Sequence, residues 1–244
     1  MINPATADLH VLPDPERLAR RVADWLTQIA AAKSGPIAIS LSGGSTPRRI
    51  YQLLAEPPCR EQVPWSRVHL FWGDERFVPA DDPASNFRMV REALLSRVPI
   101  PAANIHAVPI EGSSPQAAAV AYERGLASFY GAPRLDSARP LFDVTLLGLG
   151  TDGHTASLFP GSKALEFRDR WVVPAIDGNG DARITLTYPA IESSRYVAFV
   201  AAGTDKRDVL ARLRRGEDMP ATRLRPVGDL CWFVDEAAAG ARLI

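Results

Sequence analysis

Ile37-Ala38-Ile39-Ser40-Leu41-Ser42-Gly43-Gly44-Ser45-Thr46-Pro47 is the stretch on which the fold turns. The apolar run 37–41 reads as a buried strand, too short for a helix and bounded by Gly35-Pro36 before it and a glycine pair after it. After Pro47, the residues Ile50, Leu53 and Leu54 fall at helical spacing. A strand, a glycine turn and a helix form the repeating unit of a parallel sheet, because a parallel neighbour can be reached only through a long crossover.

The unit recurs outward from this stretch. Upstream, Asp14-Pro15 combines a capping side chain with proline at the first helical position. Leu18, Val22, Trp25, Leu26 and Ile29 then mark one buried helical face. Downstream, Val68-His69-Leu70-Phe71-Trp72 is a second strand, ending at Gly73-Asp74-Glu75-Arg76. Ser85 or Asn86 opens a helix carrying Met89, Val90, Ala93 and Leu94, and an alanine-rich helix covers 115–130. Phe142-Asp143-Val144-Thr145-Leu146-Leu147 is a third strand that runs into Gly148-Leu149-Gly150-Thr151-Asp152-Gly153-His154. Further strands are expected at 171–176, 183–187, 196–201 and 230–234, with a helix over 205–215. The pattern predicts an α/β fold: a three-layer, Rossmann-like, mostly parallel sheet with helices on both faces. No long linker, repeat or low-complexity tract divides the chain, so one domain over residues 1–244 is expected.

Composition narrows the function. Lys plus Arg and Asp plus Glu both number 28, and this balance argues against nucleic acid or an acidic membrane as partner. A small anion remains possible, since a site needs only a few local cations. Cys59 and Cys231 have neither metal-ligand spacing nor the numbers for a disulfide scaffold. No apolar run approaches the ~18 residues of a membrane span. The N-terminal segment, with Asp8, His10, Asp14 and Glu16, does not look like a leader. A cytoplasmic, monomeric protein is the expectation.

In open parallel sheets, ligands bind beyond the carboxyl ends of the strands. Polar, glycine-bearing sequence collects at four such ends: 42–47, 73–76, 148–154 and 202–206. In the first, Gly43 and Gly44 let backbone N–H groups approach a ligand, Ser45 and Thr46 add hydroxyls, and a helix N-terminus favours phosphate. A plain capped turn explains the same residues equally well. Lys206 supplies a full countercharge for a phosphate, or is a solvated lysine in a first helical turn. Asp74, Glu75 and Arg76 form either a surface ion cluster or a group that orients a histidine or a substrate hydroxyl. The run 148–153 matches the GxGxxG fingerprint formally, but Asp152 would put a carboxylate where a pyrophosphate sits. The glycines fit better as a tight turn presenting Asp152 and His154. No nucleophile elbow and no zinc or calcium pattern is present, so water is the expected nucleophile.

Taken together, these passages resemble the 6-phosphogluconolactonase family, within the fold group that includes glucosamine-6-phosphate deaminases. The resemblance rests on Ile39-Ser40-Leu41-Ser42-Gly43-Gly44-Ser45-Thr46-Pro47, on 71–79, and on Asp82-Pro83-Ala84-Ser85-Asn86-Phe87. The run 147–161, centred on Asp152-Gly153-His154, is its most specific part, and 183–187 and 203–206 extend it. It implies hydrolysis of 6-phospho-D-glucono-1,5-lactone, a phosphorylated sugar lactone, to 6-phosphogluconate in the oxidative pentose phosphate pathway. It implies no cofactor and no metal. In that reading His154 is the general base, and imidazole's ordinary pKa of ~6.5 suits the role. Asp152 orients it, and Asp74 and Glu75 hold the motif loops or bind sugar hydroxyls. Arg76 meets developing oxyanion charge. Ser42, Gly43, Gly44, Ser45, Thr46 and Lys206 grip the phosphate together with Arg183. The loop before Arg183 is Asp177-Gly178-Asn179-Gly180-Asp181, where family members often carry proline and lysine.

Two rivals fit less well. The deaminases resemble Asp-Gly-His-x-Ala-Phe-Asn-Glu-Pro, whereas Phe159 lies here where their acid would be. A sugar-phosphate sensor would tolerate loss of the acid–base residues and would need an output domain.

Overall fold

Each apolar run becomes a strand, and the glycine turns become the strand ends. The computed structural model describes residues 8–111 and 114–240. Among them the strands are β1 (Asp8–Leu12), β2 (Ile37–Leu41), β3 (Val68–Trp72), β4 (Asp74–Arg76), β5 (Ile105–His106), β6 (Phe142–Leu147), β7 (Val172–Ile176), β8 (Ala182–Leu186), β9 (Ser194–Ala201) and β10 (Asp229–Asp235). The helices are α1 (Pro15–Ala32), α2 (Ser45–Leu54), α3 (Cys59–Gln62), α4 (Asn86–Val90), α5 (Pro115–Tyr130), α6 (Tyr188–Glu192), α7 (Arg207–Arg214) and α8 (Glu236–Ala239).

A seven-stranded sheet in the order β1-β10-β9-β6-β2-β3-β5 forms the middle layer. All its pairings are parallel. Its central strands β2 and β6 are buried along their whole length, as strands covered on both faces must be. On one face Leu26 and Ala30 of α1 and Leu54 of α2 close around Ile39, Leu41 and Leu70. On the other, Phe129 of α5 sets its ring 4.9 Å from Phe71, which lies 5.5 Å from Phe142. Leu70 and Phe71 are adjacent in β3, and the strand's two-residue period sends them to opposite layers. The α/β three-layer fold expected from the sequence is the one observed. At the head of α1, Asp14 accepts the Arg17 N–H at 2.7 Å and Pro15 occupies the first turn, the start signalled by Asp14-Pro15.

Three features depart from the sequence reading. Segments 171–176 and 183–187, expected in the main sheet, form a separate antiparallel sheet in the order β4-β8-β7. The reason is the link between them. Residues 177–181 are too few for a parallel crossover, and they close a turn in which Asp177 accepts the Asn179 and Asp181 N–H groups at 2.9 Å each. Residues 74–76, expected as loop, are the third strand of that sheet, pairing Asp74 with Thr185 and Arg76 with Arg183. Two edge strands, β1 and β5, have no counterpart in the sequence reading. Residues 1–7, part of the segment read as lacking a leader, lie outside the described residues. Among the described residues no helix is long and apolar enough to cross a membrane.

The chain winds from β2 to β3 in one direction and from β6 to β9 in the other. The reversal falls between β2 and β6, which opens a crevice at their carboxyl ends. The four glycine-bearing segments follow β9, β6, β2 and β3, neighbours in the sheet, so they meet at this crevice.

Candidate active site

Buried groups hold each strand end in place. Tyr51 of α2 donates its hydroxyl to the Ser42 carbonyl at 2.8 Å and accepts the Ser42 N–H at 2.9 Å. Tyr122 of α5 makes the same double contact with the backbone of Trp72. Burial pushes both phenols above their ordinary range, so each keeps the proton it donates. Asp235, fully buried, accepts the Gly203 N–H at 3.0 Å and fixes the turn that carries Lys206.

The turn after β6 closes on itself: Gly150 donates its N–H to the His154 carbonyl at 2.8 Å, and Thr155 donates its hydroxyl to the Gly148 carbonyl at 2.9 Å. No helix follows Gly153, as a dinucleotide fingerprint would require. Gly153 sits at φ +86, and a Cβ there would run into Met219. The folded turn brings Nδ1 of His154 to 2.6 Å from Oδ1 of Asp152, which also accepts the His154 backbone N–H at 3.0 Å. Burial acts to raise the Asp152 carboxyl, but the backbone and ring of His154 outweigh it and hold the group below its usual range. An ionised Asp152 draws the imidazole proton to Nδ1 and leaves Nε2 with a free lone pair. Phe159 packs its ring 4.8 Å from the imidazole.

Strand alternation sorts Asp74, Glu75 and Arg76. Asp74 and Arg76 share the face of β4 that lines the cleft, while Glu75 turns the other way and is 3% exposed. Its carboxylate accepts N–H groups from Arg76 at 2.8 Å and from Asn86 and Phe87 at 2.7 Å each, capping the start of α4. Burial pushes the Glu75 carboxyl above its usual range, and these donors pull it only part of the way back. Of the roles expected for Glu75 among the catalytic candidates, holding the motif loops or binding sugar hydroxyls, its side chain is placed for the first, turned away from the cleft. Asp74 accepts the Ser157 hydroxyl at 2.7 Å, which ties β4 to the turn carrying His154.

The cleft at the crevice measures about 280 Å³. Ser42, Gly43, Gly44, Ser45 and Thr46 line one wall, His154 and Gly150 another, with Asp74, Arg76 and Lys206 around them. Gly44 stands at φ +108 before α2, and the helix has no side-chain cap, so its first N–H groups face the cleft unpaired by any side chain. Lys206 reaches in with its Nζ 3.0 Å from Asp205. The wall is therefore a site for an anion, and the imidazole beside it is a site for a base. Arg183, expected at the phosphate, does not line the cleft and donates instead to Asp177 at 2.6 Å. That carboxylate belongs to the turn 177–181. Asp152 stands behind His154 and also lies outside the lining. Asn86, read from the sequence as a helix start and as part of the run 82–87 but given no role at the site, lines the cleft at 2% exposure. Among the described residues no group of three or more His, Cys, Asp or Glu side chains could hold a metal ion.

Residues 13–232 match the family described as glucosamine-6-phosphate isomerases/6-phosphogluconolactonase. The 6-phosphogluconolactonase of Nostoc sp. is 44% identical over 242 residues, covering 96% of this chain and 98% of the relative. That of Streptomyces coelicolor is 38% identical, with 96% and 94% covered. The solved 6-phosphogluconolactonase from Trypanosoma cruzi superposes with a TM-score of 0.84 at 30% identity, covering 98% of this chain and 97% of that one. A monomeric glucosamine-6-phosphate deaminase superposes with a TM-score of 0.80 at 21% identity, a likeness of fold. With the match running from the first helix to the last strand of the sheet, the chain belongs to the family of the glucosamine-6-phosphate isomerases and 6-phosphogluconolactonases.

Proposed function

We propose that the cleft hydrolyses 6-phospho-D-glucono-1,5-lactone to 6-phosphogluconate, the lactone-opening step of the oxidative pentose phosphate pathway. The observation that carries this reading is the His154–Asp152 contact of 2.6 Å set beside an uncapped helix N-terminus and a lysine. The phosphate lies against the N–H groups opening α2, the hydroxyls of Ser45 and Thr46, and Lys206, which exchanges Asp205 for the ligand. With Nδ1–H held by Asp152, Nε2 of His154 takes a proton from water as its oxygen bonds to the lactone carbonyl carbon. The carbonyl electrons move onto its oxygen, where Arg76 meets the charge. Collapse of this intermediate breaks the bond to the ring oxygen, which leaves with the proton from His154. The product acid then ionises. Asp74 anchors the His154 turn through Ser157 and is placed to accept a sugar hydroxyl. Phe159 beside the imidazole, in place of an acid, favours lactone opening over deamination.

The enzyme is taken to work as a cytoplasmic monomer, one domain across residues 1–244. One continuous apolar core across the described residues supports the single domain.

The test is hydrolysis of freshly made lactone by the wild type and by His154→Ala, with spontaneous opening subtracted. A wild-type rate that falls by roughly two to four orders of magnitude is expected. Full activity in the variant would remove His154 from the chemistry. An inert wild type would overturn the lactonase reading.

A further inference from the structure

The segment 82–87 takes no part in the chemistry assigned above, yet it sends one buried amide into the cleft. Asn86 is 2% exposed and uses both ends of its side chain. Its Nδ2 donates to the Asp74 carbonyl at 2.9 Å and lies 3.4 Å from the Asp74 carboxylate, and its Oδ1 accepts Nη1 of Arg76. Its own N–H is held by Glu75 at 2.7 Å, so the backbone beneath the amide cannot drift. On the remaining side it abuts Gly43, where a Cβ would overlap the amide oxygen. Strand β4 and the glycine turn after β2 therefore meet at one neutral side chain.

Arg76 needs such a partner. Its Nη1 also donates to the Ala84 carbonyl at 3.0 Å, and among the described residues its guanidinium makes no hydrogen bond or ion pair to a carboxylate. A carboxylate partner would neutralise the guanidinium, whereas two neutral acceptors fix its direction and leave its charge free for substrate. We infer that Asn86 is a positioning residue for the reaction: its amide oxygen aims Arg76 at the lactone carbonyl without quenching the charge. The inference rests on the role given to Arg76 under the proposed function.

The test is a double-mutant cycle on kcat and KM, with thermal unfolding of each protein. Asn86→Leu, close in volume and without polar atoms, is expected to lower kcat by roughly 10- to 100-fold, the cost of a guanidinium misplaced by about 1 Å. KM should stay within about threefold, because the phosphate grip is untouched. Asn86→Asp keeps an acceptor for Arg76 but makes it a carboxylate that quenches the guanidinium and faces Asp74, so kcat should stay as low as in the leucine variant. In the Arg76→Leu background, Asn86→Leu should cost nothing further. Additive losses, or an Asp variant with wild-type kcat, would overturn the inference. If Arg76→Leu alone keeps full kcat, the oxyanion role of Arg76 fails and the inference with it. If Arg76→Leu is crippled while Asn86→Leu is not, only the inference fails. Asn86→Ser replaces the leucine variant if that one does not fold.

Discussion

Gly150→Ala would test whether the imidazole–carboxylate geometry carries the rate. A Cβ at Gly150 would overlap Nδ1 and Cε1 of His154 and lie 2.7 Å from Oδ1 of Asp152. Unstrained heavy-atom contact begins near roughly 3.5 Å, so the carboxylate must retreat by about 0.8 Å and the imidazole by somewhat more than about 1 Å. A shift of that size at a reacting group costs about 100-fold in rate, or about 2.7 kcal/mol of transition-state stabilisation. The fold itself should be little affected. Gly150 is not among the positive-φ glycines, so alanine fits its backbone. The side chains to be displaced are 33% and 50% exposed and can swing toward solvent. That puts the stability cost near the lower end of overpacking, about 1 kcal/mol. Steady-state hydrolysis of fresh lactone, paired with thermal unfolding, reads both quantities. The expected result is kcat down by about two orders of magnitude in a folded protein. A folded variant within threefold of wild-type kcat would refute the claim that this geometry matters.

Three further outcomes follow from the same geometry. Lys206→Ala should raise KM by roughly 10- to 100-fold and leave kcat within a few-fold, because it removes one charge-assisted contact to the phosphate; steady-state kinetics at constant ionic strength read this, and an unchanged KM would take Lys206 out of the grip. Glu75 has a folded pKa raised by burial above 4.5, so its contribution to stability is full below that value and declines as pH rises through the folded one. Glu75→Gln should therefore lose more stability at pH ~5 than at pH ~8 in urea unfolding, and equal losses would contradict this sign. Ala156 lies at φ +48, a region that costs an L-residue roughly 1–2 kcal/mol. Ala156→Val should destabilise by about 1–2 kcal/mol and Ala156→Gly should be close to neutral or better, and a stable valine variant would show that the turn relaxes freely.

The sheet was legible because its central strands are short apolar runs, each closed by a glycine-bearing turn. Its edges were not. Asp8-Leu9-His10-Val11-Leu12 mixes polar and apolar residues because one side faces solvent, and its pairing with β10 joins residues more than two hundred positions apart. β5 spans two residues, too few to show any period. The antiparallel sheet could have been read from the five-residue link 177–181, which excludes a parallel crossover. The same reading would have sorted the acidic cluster, since residues one apart on a strand point to opposite sides, and Glu75 would have separated from Asp74 and Arg76. Arg183 was harder. Its partner Asp177 lies six positions away across a hairpin, and only the fold shows that the two meet. Asn86 carried a helix-start signal and a place in the run 82–87, but neither says which groups its amide meets, since those contacts form only when 82–87 folds against β4.

His154 and Asp152 are separated by a single residue and belong to one closed turn, whereas the phosphate wall and Lys206 hang from two other strands. The acid–base couple is therefore encoded locally, within one turn of the chain. Breathing of the sheet alters the span between phosphate and reacting carbonyl and leaves the couple intact. Drift in the distant parts of the chain should erode which substrates fit well before it erodes the capacity to activate water.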